Sequence, residues 1–314
     1  MPPSINQIPP QSPFQSIALL VDPKRGNVSG FTDAITQING GNPNLRPEQS
    51  KSTSAGIVIE PPAIPGLRIS ADYTQIEKRD EIITPSTDVL LALEDIVPGR
   101  VTRAPLTPAD AALGYTGGAI TALDFSLINI ASSKVEALDL ALDYNRKLGN
   151  ADVRFYALAT HEWVFWRQAT SGQPKISYAG YQNGALKWQG NAGVNVDVGH
   201  FTLGWNVQYY NSYLVYSAGS TASAIATAVL NQGSDKIPSQ SYHDLFIRYR
   251  LVGFKRAWAR PLSNMEITLN VQNVFDTSPP IVVPLGGISV RLGGYSYYGD
   301  PRLSRLQLTL KKRF

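Results

Sequence analysis

Toward the C-terminus apolar and polar side chains alternate residue by residue. Leu306, Leu308 and Leu310 share one parity, and Arg305, Gln307, Thr309 and Lys311 share the other. A period of two describes an extended strand with one apolar and one polar face. The same alternation predicts strands at 49–59, 66–78, 119–146, 150–163, 185–198, 200–213, 239–252 and 263–273, nine in all with the last. Leu138, Leu140, Leu142 and Tyr144 stand against Asp139, Asp143 and Asn145. Phe201, Leu203, Trp205 and Val207 stand against Thr202, Asn206 and Gln208. The 119–146 run has a weak point at Ala131–Ser133 and is read as one long strand broken there. Residues 1–48 are rich in Pro, Gly, Asn and Gln and read as loop. Helical pattern is confined to 86–96, with Ser86 or Thr87 as cap, and to an Ala/Ser-rich stretch within 214–238.

Connections decide what the strands build. Those at 60–66, 147–150, 199 and 253–262 are short; those at 79–118, 164–184, 214–238 and 274–299 are long. The strands run to about 10–14 residues against a usual 5–6, and Tyr73, Tyr144, Trp163, Trp166, Trp188, Tyr209, Tyr210 and Tyr213 gather near strand ends. A soluble sandwich would turn its polar face outward and share an apolar core. Long strands, alternating connections and terminal aromatics instead describe an all-β, antiparallel transmembrane β-barrel with short periplasmic turns and long extracellular loops. Nine is odd where a single-chain bacterial barrel is even, so the barrel is expected to be incomplete.

Composition narrows the alternatives. Charged residues are 17% of 314, the formal charge is only +4, and no basic block is dense enough for nucleic acid. There is no cysteine, which excludes disulfides and thiolate metal sites. No apolar run of about 18 residues predicts a transmembrane helix, and MPPSINQIPPQSPF lacks the basic and apolar regions of a signal peptide.

Several motifs then converge. GNPNLRPEQSKSTSAGIVIEPPAIPGLRISADYTQIEKRDEI at 41–82, LNVQNVFDTSPP at 269–280, PPSINQI at 2–8 and the ending LQLTLKKRF resemble the TonB-dependent outer-membrane receptors. The resemblance implies a C-terminal barrel part, 49–314, preceded by an extracellular loop region, 1–48, with the family's signal peptide, TonB box and plug absent. It implies a location in the outer membrane of a Gram-negative bacterium and active uptake of a bulky solute such as a ferric siderophore, a vitamin or an oligosaccharide. The part alone is not expected to transport. Implied partners are outer-membrane lipid, the barrel assembly machinery, and the missing plug and N-terminal strands through which TonB would act. The resemblance gives Phe314 the role of assembly signal. Two other readings stand beside this one: a complete small pore or adhesin barrel, and a soluble β-rich carbohydrate-binding protein.

No catalytic residue is assigned and no enzyme is expected. His161, His200 and His243 are isolated, with no carboxylate or cysteine at ligand spacing, so neither metal nor cofactor is implied. Glu77, Asp80 and Glu81 read as a solvated loop start rather than a catalytic carboxylate pair. No GxSxG, P-loop or GxGxxG occurs in strand-to-helix context. Polar-parity residues on the strands, Arg154, Gln189, Asn206, Gln208, Arg248 and Glu266, are candidates for lining a solute path, or for contacting a plug or lumen water.

Overall fold

The structure is a computed structural model that describes residues 2–26, 29–251, 264–283 and 294–312. Nine long strands form one ordered sheet, numbered here in chain order. They are β1 (Gln49–Ile59), β2 (Leu67–Ile83), β3 (Ile128–Leu148), β4 (Ala151–Gln168), β5 (Trp188–Val198), β6 (Phe201–Tyr210), β7 (Gln240–Leu251), β8 (Met265–Gln272) and β9 (Arg305–Lys312). Each is hydrogen-bonded to the next in sequence, and the short strand Ile176–Ser177 adds to β4 off this path. The sheet is open, because β1 and β9 lie at its two ends and do not pair.

Connections alternate as the sequence reading expects. β1–β2, β3–β4 and β5–β6 are joined by short turns, with Gly149 and Gly199 in the left-handed region that two-residue turns require. The expected turn at 253–262 lies outside the described residues. Two strands overrun their expected ends at the long-loop side. β2 continues to Ile83, and β4 to Gln168. Glu77, Asp80 and Glu81 therefore belong to a strand, not to a loop start. There Ser133 Oγ donates to Glu81 Oε1 at 2.9 Å and Asn129 Nδ2 donates to the Asp80 carbonyl at 2.9 Å.

The register sorts side chains into two faces. Across β5, β6, β7, β8 and β9 one row reads Val196, Leu203, Ile247, Leu269, Leu308, and the next reads Val194, Trp205, Leu245, Val271, Leu306. Six of these ten apolar side chains are exposed, Leu308 keeping 62% of its surface and Ile247 47%, and Val194, Val196, Leu269 and Val271 are half-buried. Polar-parity Thr202 and Gln240 keep 6% and 5%. The burial is inverted relative to a soluble sheet, where the apolar face is the covered one, so the soluble-sandwich reading does not hold. Aromatics join along the apolar parity, with His161 stacked on Trp188 at 4.1 Å and Trp163 on Tyr73 at 5.9 Å between ring centroids.

The packed cores lie elsewhere. The chain divides into two compact units, the first comprising Met1–Lys51, Glu77–Ser133 and Arg167–Lys175, the second Ser52–Ile76, Lys134–Trp166 and Ile176–Phe314. In the first unit a four-stranded sheet orders Phe14–Ser16, Ile35–Ile38, Ile120–Asp124 and Val101–Arg103, with a parallel pair between Ile35–Ile38 and Ile120–Asp124. Leu20, Ile35, Leu90, Leu91, Ile120 and Leu123 form its core. Helix α1 (Thr87–Ala92) starts where expected, its Ser86 side chain accepting from Val89 N. Helix α2 (Pro108–Ala112) has no counterpart in the sequence reading. In the second unit the loop helix α3 (Ala222–Gln232) packs Ala228 against Leu186, Tyr213, Val215, Ile237 and Val282.

Two expectations are corrected. Residues 1–48, read as loop, hold a short 3-10 turn and four short strands, two of which belong to the first unit's sheet. The 119–146 run is not one strand broken at the serines. It parts at 125–127; Ile120–Asp124 joins the small sheet, and β3 runs unbroken through Ser132 and Ser133. The physical cause is Arg100, whose guanidinium donates to the carbonyls of Ser126 and Leu127 and so takes up the groups a continuous ladder would have used.

Candidate functional site

All six polar-parity candidates lie on one face. Arg154 pairs with Asn195, Gln189 with Thr160 and Tyr210, Asn206 with Gly193 and Asp244, and Gln208 with Asn191 and Tyr242. Arg248 faces Thr202 and Thr268, and Glu266 faces Arg250 and Lys311. The structure gathers these residues into three places.

The first is a recess of about 370 Å³ lined by Gln189, Asn191, Asn206, Gln208, Thr160 and Tyr210, with Leu158, Ala159 and Gly190. Its polar lining is carboxamide and hydroxyl without a formal charge. The amides are oriented by neighbours: Tyr156 Oη donates to Asn206 Oδ1 at 2.9 Å, and Tyr210 Oη donates to Gln208 Oε1 at 3.2 Å. Beyond Tyr210 a tyrosine cluster closes the long-loop side. Tyr213 Oη and Gln240 Nε2 both donate to the fully buried Ser296 Oγ, at 3.0 and 2.8 Å, and Tyr298 packs 5.4 Å from Tyr210. Burial pushes the Tyr213 and Tyr298 phenols above the ordinary tyrosine value.

A second, smaller recess of about 130 Å³ shares Leu158 with the first and adds Arg68, Ser70, Asp143, Arg154 and Tyr156. Arg154 grips Asp143 in a two-pronged ion pair at 2.9 and 2.7 Å. Tyr156 lies between the recesses because β5 offers a glycine: a Cβ at Gly193 would come 2.5 Å from the Tyr156 hydroxyl. Sequence reasoning missed Tyr156, Asn191 and Thr160 as lining residues. The legible signal was glycine on the polar parity, at Gly193 and again at Gly204, where a Cβ would meet the Phe246 ring at 2.0 Å.

The third place is the short-turn end beside β9, where Glu266 lies 3.4 Å from Arg248 and 3.8 Å from Arg250. Arg248 and Glu266 thus lie apart from the recesses. His161 and His243 fall on the apolar parity among aromatics; Trp205 Nε1 donates to His243 Nδ1 at 3.2 Å. Phe314 lies outside the described residues.

Outside the long strands, a dense charge site among the described residues is in the first unit. Arg103 donates to both oxygens of Asp22 at 2.7 and 2.9 Å and to both oxygens of Glu94 at 2.7 and 2.8 Å. Burial is the largest single influence on Asp22 and opposes its charge, but the Arg103 hydrogen bonds, the Lys24 backbone N–H and the Arg103 and Arg25 charges together hold that carboxyl below its ordinary value. Glu94 is held low first by the Arg103 hydrogen bonds. At the foot of β9, Asp300 is lowered to about 2, first by the Arg302 guanidinium.

Comparison with known proteins places this geometry. The family described as "TonB dependent receptor-like, beta-barrel" matches residues 3–274. No curated protein matches. Two solved variants of the ferric enterobactin receptor PfeA from Pseudomonas aeruginosa align at 14% identity. One covers 98% of this chain and 35% of the receptor with a TM-score of 0.54. The other covers 88% and 32% with a TM-score of 0.51. The chain therefore spans about a third of the length of the solved receptors it matches.

Proposed function

Because the chain belongs to the TonB-dependent receptor β-barrel family, we propose that it forms the C-terminal part of an outer-membrane barrel for uptake of a bulky solute. The inverted burial of the strand wall carries this reading. An apolar face running row by row across β5 to β9, most exposed on β6, β7 and β9, suits lipid, and a polar face sheltered on β6 and β7 suits a lumen. In that setting the short turns are periplasmic and the long connections are extracellular, as is 1–48. The role is that of a receptor and transporter, not an enzyme.

The solute belongs to the class that such receptors move, a ferric siderophore, a vitamin or an oligosaccharide; both solved neighbours named above are ferric enterobactin receptors. On this reading Arg154, Gln189, Asn206 and Gln208 contribute to the solute path along the two recesses, while Arg248 and Glu266 shape the lumen wall near its inner end. Nine strands with two free edges do not enclose a lumen, and free edges in lipid leave backbone groups unpaired. Transport therefore requires further strands and a plug, through which TonB would act. The terminal Phe314 serves the barrel assembly machinery.

An antibody to the 169–187 loop, used on outer membranes of the source cell, tests the reading. A band well above the 34.2 kDa of this chain, at the size of a whole receptor, is the expected result. A band at 34.2 kDa alone, with solute uptake unaffected by its deletion, contradicts it.

A further inference from the structure

The recess on β4, β5 and β6 has a chemistry that narrows its solute. Its volume of about 370 Å³ falls within the range of small-molecule sites. Asn206 Oδ1 accepts from Tyr156 Oη at 2.9 Å and from Asn191 Nδ2 at 3.4 Å, and Gln208 Oε1 accepts from Tyr210 Oη at 3.2 Å. These bonds hold the amide planes. They leave Asn206 Nδ2, Asn191 Oδ1 and both ends of Gln189 without a hydrogen bond among the described residues. Free donors and free acceptors thus lie side by side on one surface. The Tyr210 ring, with Tyr298 5.4 Å away, adds an apolar face at the long-loop end. Planar amides beside an aromatic ring match a pyranose, whose hydroxyls each donate and accept and whose C–H face is apolar.

The charge around this recess is of one sign. Asp139 accepts from Thr160 Oγ1 at 2.6 Å, and Asp244 accepts from Gln208 Nε2 at 3.4 Å and from Asn273 N at 2.8 Å. Glu162 follows Thr160 on the polar parity of β4. Its Oε1 is buried and has no hydrogen-bond partner among the described residues, and its charge reaches the Tyr298 phenol. Buried oxygens are ordinarily hydrogen-bonded. A ligand hydroxyl supplies the donor that Glu162 lacks; the anionic oxygens of a metal chelate do not. The cations of this face are engaged elsewhere. Arg154 is held by Asp143 and Arg248 by Glu266, and the Lys187 stem lies over Gly180, where a Cβ would come 3.1 Å from its Cε.

We propose that the recess selects uncharged saccharides, and that Asp139, Glu162 and Asp244 enforce the selection by repelling anionic solutes such as ferric catecholates. The free amide groups bind sugar hydroxyls, Tyr210 carries the C–H face of the ring, and Glu162 Oε1 accepts a hydrogen bond from one hydroxyl. The proposal rests on the uptake reading above and names the solute class for it. It separates this chain in specificity from the ferric enterobactin receptors whose fold it shares.

The test uses outer-membrane vesicles that carry the chain within its whole receptor, and matched vesicles that lack it. Both are applied to an array of neutral oligosaccharides and their sialylated counterparts, and ferric enterobactin binding is measured in parallel. The expected result is chain-dependent binding of neutral glycans, with the sialylated forms about tenfold weaker and no binding of ferric enterobactin. Gln189 is exposed, so Gln189→Ala should leave the fold intact and weaken neutral binding about three- to tenfold. The triple variant Asp139→Asn, Glu162→Gln, Asp244→Asn keeps the side-chain shapes and should bring the sialylated forms within about threefold of the neutral ones. Absence of chain-dependent glycan binding, equal binding of sialylated forms by the unaltered chain, binding of ferric enterobactin, or a charge preference unmoved in the triple variant would overturn the proposal while leaving the barrel reading intact. Recovery of the chain in the soluble fraction, with none in the vesicles, would overturn both.

Discussion

Gly204 shows how single residues shape the polar face of the wall. Its absent side chain gives the Phe246 ring a place to lie across β6. Gly204→Val should force that ring off its rotamer at a cost of about 1–3 kcal/mol, the usual range for overpacking, read as a lower urea midpoint in lipid vesicles. An unchanged midpoint would mean the ring does not rest there. Arg103 governs the first unit in a different way. Its Asp22 and Glu94 partners are nearly buried, so Arg103→Met removes the ion-pair partner of Asp22 and leaves Glu94 with Lys24 alone at 3.3 Å, a change that typically destabilises by about 3–5 kcal/mol. Both carboxyls are held below their ordinary values. Their contribution is thus complete above the unfolded carboxylate pKa of about 4 and disappears as pH falls through the lower folded values. Protease resistance of the 77–133 segment should hold at neutral pH and fall below about pH 4. In Arg103→Met it should be weak at neutral pH and should no longer fall on acidification, because protonation then relieves the uncompensated carboxylate charge.

At the scale of elements, β9 separates the two faces most clearly. Leu308 and Thr309 are neighbours in sequence and point to opposite sides. Leu308→Arg should cost about 2–4 kcal/mol in folding, the range for a cation on a lipid face near mid-membrane. Thr309→Arg, on the polar face beside Thr268, should stay within about 0.5 kcal/mol, as surface changes usually do. The fraction reaching the folded, slow-proteolysis form in vesicles distinguishes them; equal loss in both would remove the distinction between faces.

Strands of this kind are legible because one surrounding, apolar on one side and aqueous on the other, imposes the same period on all of them. The small sheet was not legible, since Ile35–Ile38 becomes a strand through pairing with Ile120–Asp124, more than 80 residues on. No local period reports such a partner. The parting at 125–127 was hidden for the same reason, being enforced by Arg100 from 26 and 27 positions away. The recesses were half legible. Alternation put Gln189, Asn206 and Gln208 on the right face, but which of them share a pocket with Thr160 depends on inter-strand register. Tyr156 owes its place to Gly193 across the seam.

For the molecule as a whole, the account depends on the apolar face of the wall meeting lipid and the polar face meeting water. Among the described residues the packed cores form among the connections, and the apolar rows of the wall are exposed or half-buried. Spin labels placed one at a time from 305 to 312, in outer membranes carrying the chain within its closed barrel, test this most directly. Collision with membrane-soluble oxygen and with a water-soluble nickel complex is measured at each position. The account predicts oxygen maxima at 306, 308 and 310 and nickel maxima at 307, 309 and 311, out of phase along the strand. Nickel access at every position, or oxygen maxima on the odd residues, would contradict it.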